Sequence, residues 1–295
     1  MSDAARIGFI GAGRVGQGLS RAFARAGLTV VAVASRSRAS AEALAAPLAA
    51  CRVFDKPQAV VDNADLVFLS VPDDAIAPLA ASLCWRAGMA VVHCSGASEL
   101  TTLVAARAAG AQTGSFHPLL MFADAETAAA ALPGCAIALE AEGTLLRELE
   151  AMVTALGAQI LHLPPGARAA YHAASHYGAA FLCVLLAEGT KILDAAGMSG
   201  EASRKALLSL ARGTLDALEQ TGPARAMAGV YARGDTGSAA RHLQALDAMN
   251  ADVAAFYRCL ALRSVALAEE ANRIDRVTAD SLRNLLRANK DQESA

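Results

Sequence analysis

Aromatic side chains make up only 4% of this 295-residue chain, and although hydrophobic residues reach 55%, much of that figure is alanine. The core this predicts is one of small side chains in closely packed helices. Long apolar runs are also missing: the longest, Gly178 to Ala187, is about half of the ~18 residues that a membrane-spanning helix requires. No transmembrane helix is predicted. There is no basic run either, and 26 Lys plus Arg against 28 Asp plus Glu leave a formal charge of −2, which argues against nucleic acid or an anionic membrane as partner. The six cysteines (Cys51, Cys84, Cys94, Cys135, Cys183, Cys259) form no CxxC pair in a chain large enough not to need disulfides, so they are expected as buried thiols in a reducing compartment. The start, MSDAARIGFIGAG, lacks the charged, apolar and small-residue segments of a signal peptide, and a cytoplasmic location is expected.

At roughly 150 residues per domain, the length favours two domains. Arg6 to Ile10, Arg14 to Ala26 and Thr29 to Ala34 pattern as strand, helix and strand. Further strands are predicted at Leu66 to Val71, Ala90 to His93, Gln112 to Phe116, Cys135 to Leu139 and Gln159 to His162. Helices between them span Ala39 to Ala50, Ile76 to Ala87, Leu100 to Ala109 and Thr144 to Leu156. This alternation implies an α/β, doubly wound, mostly parallel sheet. After Leu163 comes Pro164-Pro165-Gly166, and no β-rich run follows. The expected domains are therefore residues 1–163, the α/β unit, and 164–295, an all-α unit. The latter would hold one long helix from Ala167 to Ala196 and others over Glu201 to Gln220, Ser238 to Met249, Asp252 to Asn272 and Thr278 to Ala288; the final KDQESA is expected to be disordered.

Between the first strand and first helix stands Gly11-Ala12-Gly13-Arg14-Val15-Gly16, a GxGxxG in its proper setting. Gly11 permits the tight turn, Gly13 lets a pyrophosphate approach the backbone, and Gly16 lets the helix pack on the strand, while the helix start offers free N–H groups. The second strand ends not in a carboxylate but in Ser35-Arg36-Ser37-Arg38. A carboxylate would repel a ribose 2′-phosphate, whereas Arg36 can pair with it and the serines can donate to it, which favours NADP over NAD. Val71 and Pro72, at the end of the next strand, fall where the nucleoside would lie. The alternative for Arg36 and Arg38 is that of solvated surface charges.

The segments IGFIGAGRVGQGL, SRS and LVFLSVPDDAI, followed by a helical second half, resemble the superfamily of pyrroline-carboxylate reductases, β-hydroxyacid dehydrogenases and prephenate dehydrogenases. More closely, VVHCSGASEL, GSFHPLLMF, AAYHAASHY and VYARGDTGSAARHL resemble a bacterial family with a Rossmann-like first half and a helical second half of unknown function. Its members are often labelled NADP oxidoreductases of deazaflavin-dependent type. The resemblance implies that residues 1–163 are an NADP-binding Rossmann unit, that residues 164–295 are a helical unit for substrate binding and dimerisation, and that the activity is that of a reductase or dehydrogenase.

In the β-hydroxyacid dehydrogenases a serine after the fifth strand binds the substrate carboxylate, and Ser95 stands at the matching place; the alternative is a turn-forming serine. Those relatives carry a catalytic Lys and an Asn four residues later on the first long helix, where this chain has His172 and His176. Histidine can donate the proton that accompanies hydride, and His117, beside Pro118 at a strand end, is a further candidate. Packing is the alternative for all three, and His93 is expected in the core. The expected function is NADP-dependent hydride transfer between nicotinamide and a carbonyl or imine carbon of a small polar substrate, in a homodimer, with catalytic candidates His117, His172, His176 and Ser95. The alternatives are a non-catalytic NADP-binding sensor, or a metal-assisted enzyme using His172 and His176.

Overall fold

The computed structural model describes residues 5–288, so KDQESA, at 290–295, lies outside the described residues. The chain divides into two compact units, 1–179 and 180–295. This division and the boundary read from the sequence differ by one helix and the turn before it.

In the first unit, strands β1 (Ile7–Ile10), β2 (Val30–Ala34), β3 (Arg52–Phe54), β4 (Leu66–Leu69), β5 (Ala90–His93), β6 (Gln112–Pro118), β7 (Ala136–Glu140) and β8 (Gln159–His162) form one sheet. Their order is β3-β2-β1-β4-β5-β6-β7-β8. The first six follow the order of a dinucleotide-binding fold and pair in parallel. β7 runs antiparallel to β6, and β8 parallel to β7. β1, β4 and β5 are buried along their whole length, which is why they read as unbroken apolar runs rather than alternating ones.

Helices α1 (Arg14–Arg25), α2 (Arg38–Ala45), α3 (Pro57–Asn63), α4 (Asp73–Ala81), α5 (Val104–Ala108), α6 (Ala125–Ala131) and α7 (Gly143–Ala155) connect the strands, and α8 (Arg168–Gly178) follows the sheet. On one face Phe9, Phe23, Phe68 and Phe116 pack together, Phe68 lying 5.2 Å from the Phe9 ring centroid and 5.5 Å from that of Phe116. Half of the chain's eight phenylalanines are spent on this one cluster. On the other face Val60, Val61, Ile76, Leu103 and Trp85 cover the sheet.

The second unit is helical: α9 (Ala180–Ala195), α10 (Gly200–Thr221), α11 (Pro223–Ala226), α12 (Val230–Arg233), α13 (Thr236–Met249), α14 (Ala251–Glu270) and α15 (Arg276–Arg287). Asp235, Asn250 and Asp275 cap α13, α14 and α15 through side-chain oxygens that accept backbone N–H groups. Its core contains Ala239, Ala261, Ala268 and Ala279 beside Leu243, Val265 and Leu282, the small-residue packing expected from composition.

Several expectations need correction. The helix predicted over Ala167 to Ala196 is broken: α8 ends at Gly178, a poor helix former, and Ala179 leaves helical geometry at φ −126°, ψ −93°. α2 stops at Ala45, short of the predicted Ala50, because Pro47 has no N–H to continue the helical hydrogen bonds. Leu100 to Ala109 divides into a 3-10 turn, Leu100–Leu103, and α5. β3, α3 and α6 went unpredicted, being only three, seven and seven residues long. Cys84, Cys183 and Cys259 are exposed, not buried, the latter two on outward faces of α9 and α14. No helix among the described residues is long and apolar enough to cross a membrane.

Because Phe68 touches Phe9, Phe23 and Phe116 and is fully buried, Phe68→Ala is expected to lower the stability by about 3–5 kcal/mol in urea unfolding. A loss below about 1 kcal/mol would show that the cluster is not the hub of this core.

Candidate active site

The registers bring the ends of the central strands level: Ile10 pairs with Ala34 and Leu69, and His93 pairs with Leu69 and Ser115. At this edge, where open parallel sheets bind ligands, lies the glycine loop. Gly11 adopts φ +101°, and a Cβ there would fall 2.4 Å from the Ser70 carbonyl oxygen. Gly16 is equally constrained, a Cβ falling 2.6 Å from Ser70 Oγ, and that hydroxyl donates to the Gly11 carbonyl at 2.9 Å. Gly13 differs: it is exposed, begins α1, and a Cβ would meet nothing within 4 Å. The space above Gly13 is therefore open. Ala12 is buried beneath the loop, Arg14 is exposed, and Val15 is half-buried against the phenylalanine core. The first turn of α1 carries no acid and no side-chain cap.

At the end of β2, Ser35 is half-buried and Arg36 is exposed without a hydrogen bond or ion pair to any described residue. Arg38 is committed instead, to Glu42 at 2.9 Å and Asp55 at 2.6 Å. Ser37 caps α2, accepting from the Ser40 N–H at 3.2 Å. Val71 and Pro72 follow β4, Pro72 leading into α4, whose first turn holds Asp73 and Asp74. An open helix start, a free guanidinium and the absence of acid between them fit a phosphorylated dinucleotide.

β6 runs on beyond the edge of β5 through Phe116, His117 and Pro118. With period two, Thr113, Ser115 and His117 share one face, and each is bonded to a different partner. Thr113 Oγ1 accepts from Arg107 Nε at 3.1 Å, Ser115 Oγ accepts from Arg168 Nη2, and His117 Nδ1 lies 2.7 Å from the Tyr171 hydroxyl. A Cβ on Gly96 would fall 2.9 Å from His117 Nε2 and 2.9 Å from His172 Cδ2, so only glycine lets the loop after β5 pass between these rings. His176 is one helical turn further on α8, its centroid 4.9 Å from that of His172 and its Nδ1 donating to the His172 carbonyl at 2.8 Å. Ser95 Oγ accepts from the Ala97 and Ser98 N–H groups at 3.1 and 2.9 Å, which makes it a turn-former whose own proton is still free to donate.

Beneath these groups Arg168, fully buried, donates Nε to Glu140 at 2.7 Å and Nη1 to the Ser95 carbonyl at 3.1 Å, besides its bond to Ser115. Burial, then the neighbouring His172 and Arg168, push His117 down to about 4, while Asp73 acts the other way. Burial, then Arg168 and His117, take His93 to about 3 against a smaller opposing backbone contact at Ser95, and neither ring nitrogen makes a hydrogen bond of good geometry. Burial raises the Tyr171 phenol to about 12. At neutral pH His117 is a neutral imidazole and Tyr171 an intact O–H donor.

The structure thus brings Ser95, His117, His172 and His176 together, and sets Gly11 to Gly16, Ser35 to Ser37, Val71 and Pro72 along the same sheet edge. Sequence reasoning did not single out Arg168, Glu140, Ser115, Gly96 or Ser70. The one available signal was the apolar company of a lone Arg at a helix start. No group of three or more His, Cys, Asp or Glu suited to a metal ion occurs among the described residues.

A Rossmann-like domain model matches residues 2–118, and a domain of unknown function, DUF2520, matches residues 135–264. No curated protein sequence matches the chain. Among solved structures, BF3122 from Bacteroides fragilis, provisionally described as an NADP oxidoreductase, superposes with TM-score 0.71 at 23% identity, covering 88% of this chain and 97% of its own. The imine reductase of Myxococcus stipitatus, solved with NADP+, gives 0.60 at 20% identity, covering 96% and 93%. A pyrroline-5-carboxylate reductase from Coxiella burnetii gives 0.60 at 15%, covering 95% and 99%. At these identities the likeness establishes the fold: a Rossmann-like domain followed by helices.

Because His117 and His93 bind protons near 6.5 when unfolded and near 4 and 3 when folded, stability is full above about pH 6.5 and falls as the pH drops toward 4. Each imidazole contributes a slope of up to about 1.4 kcal/mol per pH unit in that window. Urea unfolding between pH 7.5 and 4.5 should show a shallower decline in His93→Gln than in the wild type; equal slopes would mean that His93 is not held neutral.

Proposed function

We propose that this protein is an NADP-dependent oxidoreductase that moves hydride between nicotinamide and a carbonyl or imine carbon of a small polar substrate. The observation that carries this reading is that an open glycine-lined helix start and a cluster of imidazoles lie at the same edge of one sheet. The backbone N–H groups of Gly11 to Gly16 would hold the pyrophosphate, and Arg36 with Ser35 and Ser37 the 2′-phosphate. Val71 and Pro72 would flank the nucleoside. When bound, NADPH would supply the hydride, or NADP+ accept it in the reverse direction. The Myxococcus stipitatus relative, solved with NADP+, supports this choice of cofactor.

The protein's own part is to orient the acceptor and supply a proton. With Tyr171 donating to His117 Nδ1, the neutral ring carries its proton on Nε2, the nitrogen nearest Gly96. There it donates a hydrogen bond to the oxygen or nitrogen that gains electrons, and Ser95 donates to a polar group of the substrate. His172 and His176, one turn apart on α8, complete the proton-donor group. The substrate pairs with these donors through its acceptor atoms, whether ketone oxygen or imine nitrogen.

A second copy of the chain is the partner this reading includes. α9 has no buried residue although Phe181, Val184 and Leu185 lie along it at 45%, 47% and 39% exposure. An apolar helix face of that kind is a natural subunit interface. Light scattering should report a homodimer, and a monomer would remove this part of the proposal.

Calorimetric titration of NADP, NADPH, NAD and NADH tests the cofactor. Phosphorylated forms should bind at least about tenfold more tightly, and Arg36→Asp should abolish that preference. His117→Ala, His172→Ala and His176→Ala should each lower NADPH oxidation, in a screen of ketones and cyclic imines, by about 100-fold or more without weakening NADP binding. If no nicotinamide nucleotide binds, the reading falls.

A further inference from the structure

We propose that Arg168 is a positioning residue of the imidazole site, holding the loop at Ser95-Gly96 against β6 so that His117 keeps its bond to Tyr171 and its separation from His172. This inference rests on the reading of the cluster as the catalytic site. Three bonds carry it. Arg168 donates to the Ser95 carbonyl, immediately before the glycine that spaces the two rings, and to the Ser115 hydroxyl, two residues before His117 on the same face of β6. It donates as well to Glu140, which pairs with Ser115 across the β6–β7 ladder. The same side chain lies one turn before Tyr171 and His172 on α8. One rigid, planar guanidinium therefore ties the loop after β5, β6, β7 and α8 to a common point.

A buried ion pair held only for stability would be replaceable by apolar side chains of similar volume. Positioning predicts something else: the fold survives that replacement and the imidazole site does not. The charged and titratable groups facing His117 are Tyr171, His172 and Arg168 on α8, Asp73 on α4 and His93 on β5. Of these, Arg168 is the permanent positive charge, so removing it lifts an opposing field from the ring as well as loosening its seat.

The test compares wild type, Arg168→Lys, Ser115→Ala and the double variant Arg168→Met/Glu140→Leu in the full chain. Histidine ring carbon–proton NMR spectra are recorded from pH 7.5 downward, with the His117 signal assigned through His117→Gln, alongside thermal unfolding and NADPH titration. The double variant is expected to melt within a few degrees of wild type and to bind NADPH unchanged, while its His117 and His172 ring signals move and the His117 titration midpoint rises. Arg168→Lys, which keeps the charge but not the fork, and Ser115→Ala, which leaves Glu140 paired, should shift the His117 and His172 signals while leaving the midpoint within about half a unit of wild type. A wild-type His117 signal and midpoint in the stable double variant would overturn the proposal. So would a double variant that does not fold together with an unperturbed His117 in Ser115→Ala, since the pair would then serve the fold alone. Loss of NADPH binding in the wild type would strike the oxidoreductase reading and leave the NMR comparison standing.

Discussion

The Arg168–Glu140 pair is the interaction on which the upper edge of the sheet depends. A guanidinium with no exposed surface is tolerable only when its charge is matched and its N–H groups are bonded, and here a carboxylate, a carbonyl and a hydroxyl meet those needs. Removing either charge alone leaves the other buried and unpaired, a loss of about 3–5 kcal/mol by comparison with other buried pairs. That cost falls on β7, an antiparallel strand outside the six-stranded nucleotide-binding order, and binds it to the first turn of α8. The pair accounts for α8 belonging to the first unit although a turn rich in Pro and Gly separates it from the sheet.

A second constraint follows from β6. A strand that ended level with β5 would stop at Ser115, and its ligand-facing residue would be a serine. β6 continues because β7 supplies an antiparallel partner, Phe116 pairing with Leu139 and His117 with Ala138. The antiparallel addition is therefore what allows an imidazole to be carried on regular structure rather than on a loop. A side chain on a paired strand is placed more firmly than one on a free loop.

The sequence disclosed the fold through patterns that are local. Unbroken apolar segments such as LVFL and AVVH marked buried parallel strands, GxGxxG marked the ligand edge, and the disappearance of β-branched runs after Leu163 marked the helical half. Short elements stayed hidden, because the three residues of β3 carry too little pattern to stand out from their neighbours. The site was legible only in its extremities. His117, His172 and His176 announced themselves by residue type, whereas Gly96 and Arg168 act through partners 20 and more positions away along the chain, at His117, Glu140, Ser115 and Ser95. Spacing within a segment says nothing about such partners. Break points in helices were hidden for a related reason: the end of α8 at Gly178 interrupts a stretch whose composition is helical on both sides.

The electrostatics of the cluster limit the chemistry it can perform. A ring pushed down to about 4 is almost never an imidazolium at pH 7, so His117 holds no full proton to give up there. It can, however, present a fixed N–H, because the Tyr171 hydroxyl occupies its other nitrogen and the phenol, raised to about 12, stays protonated. A neutral donor held in place favours an acceptor that gains charge during reaction, as a carbonyl oxygen or imine nitrogen does when hydride arrives. His176, one turn beyond His172 and bonded to its carbonyl, extends the imidazole series along α8. The imidazoles are thus carried on two different elements, β6 and α8, and the buried guanidinium bonded to the Ser95 carbonyl and to Ser115 lies beneath both.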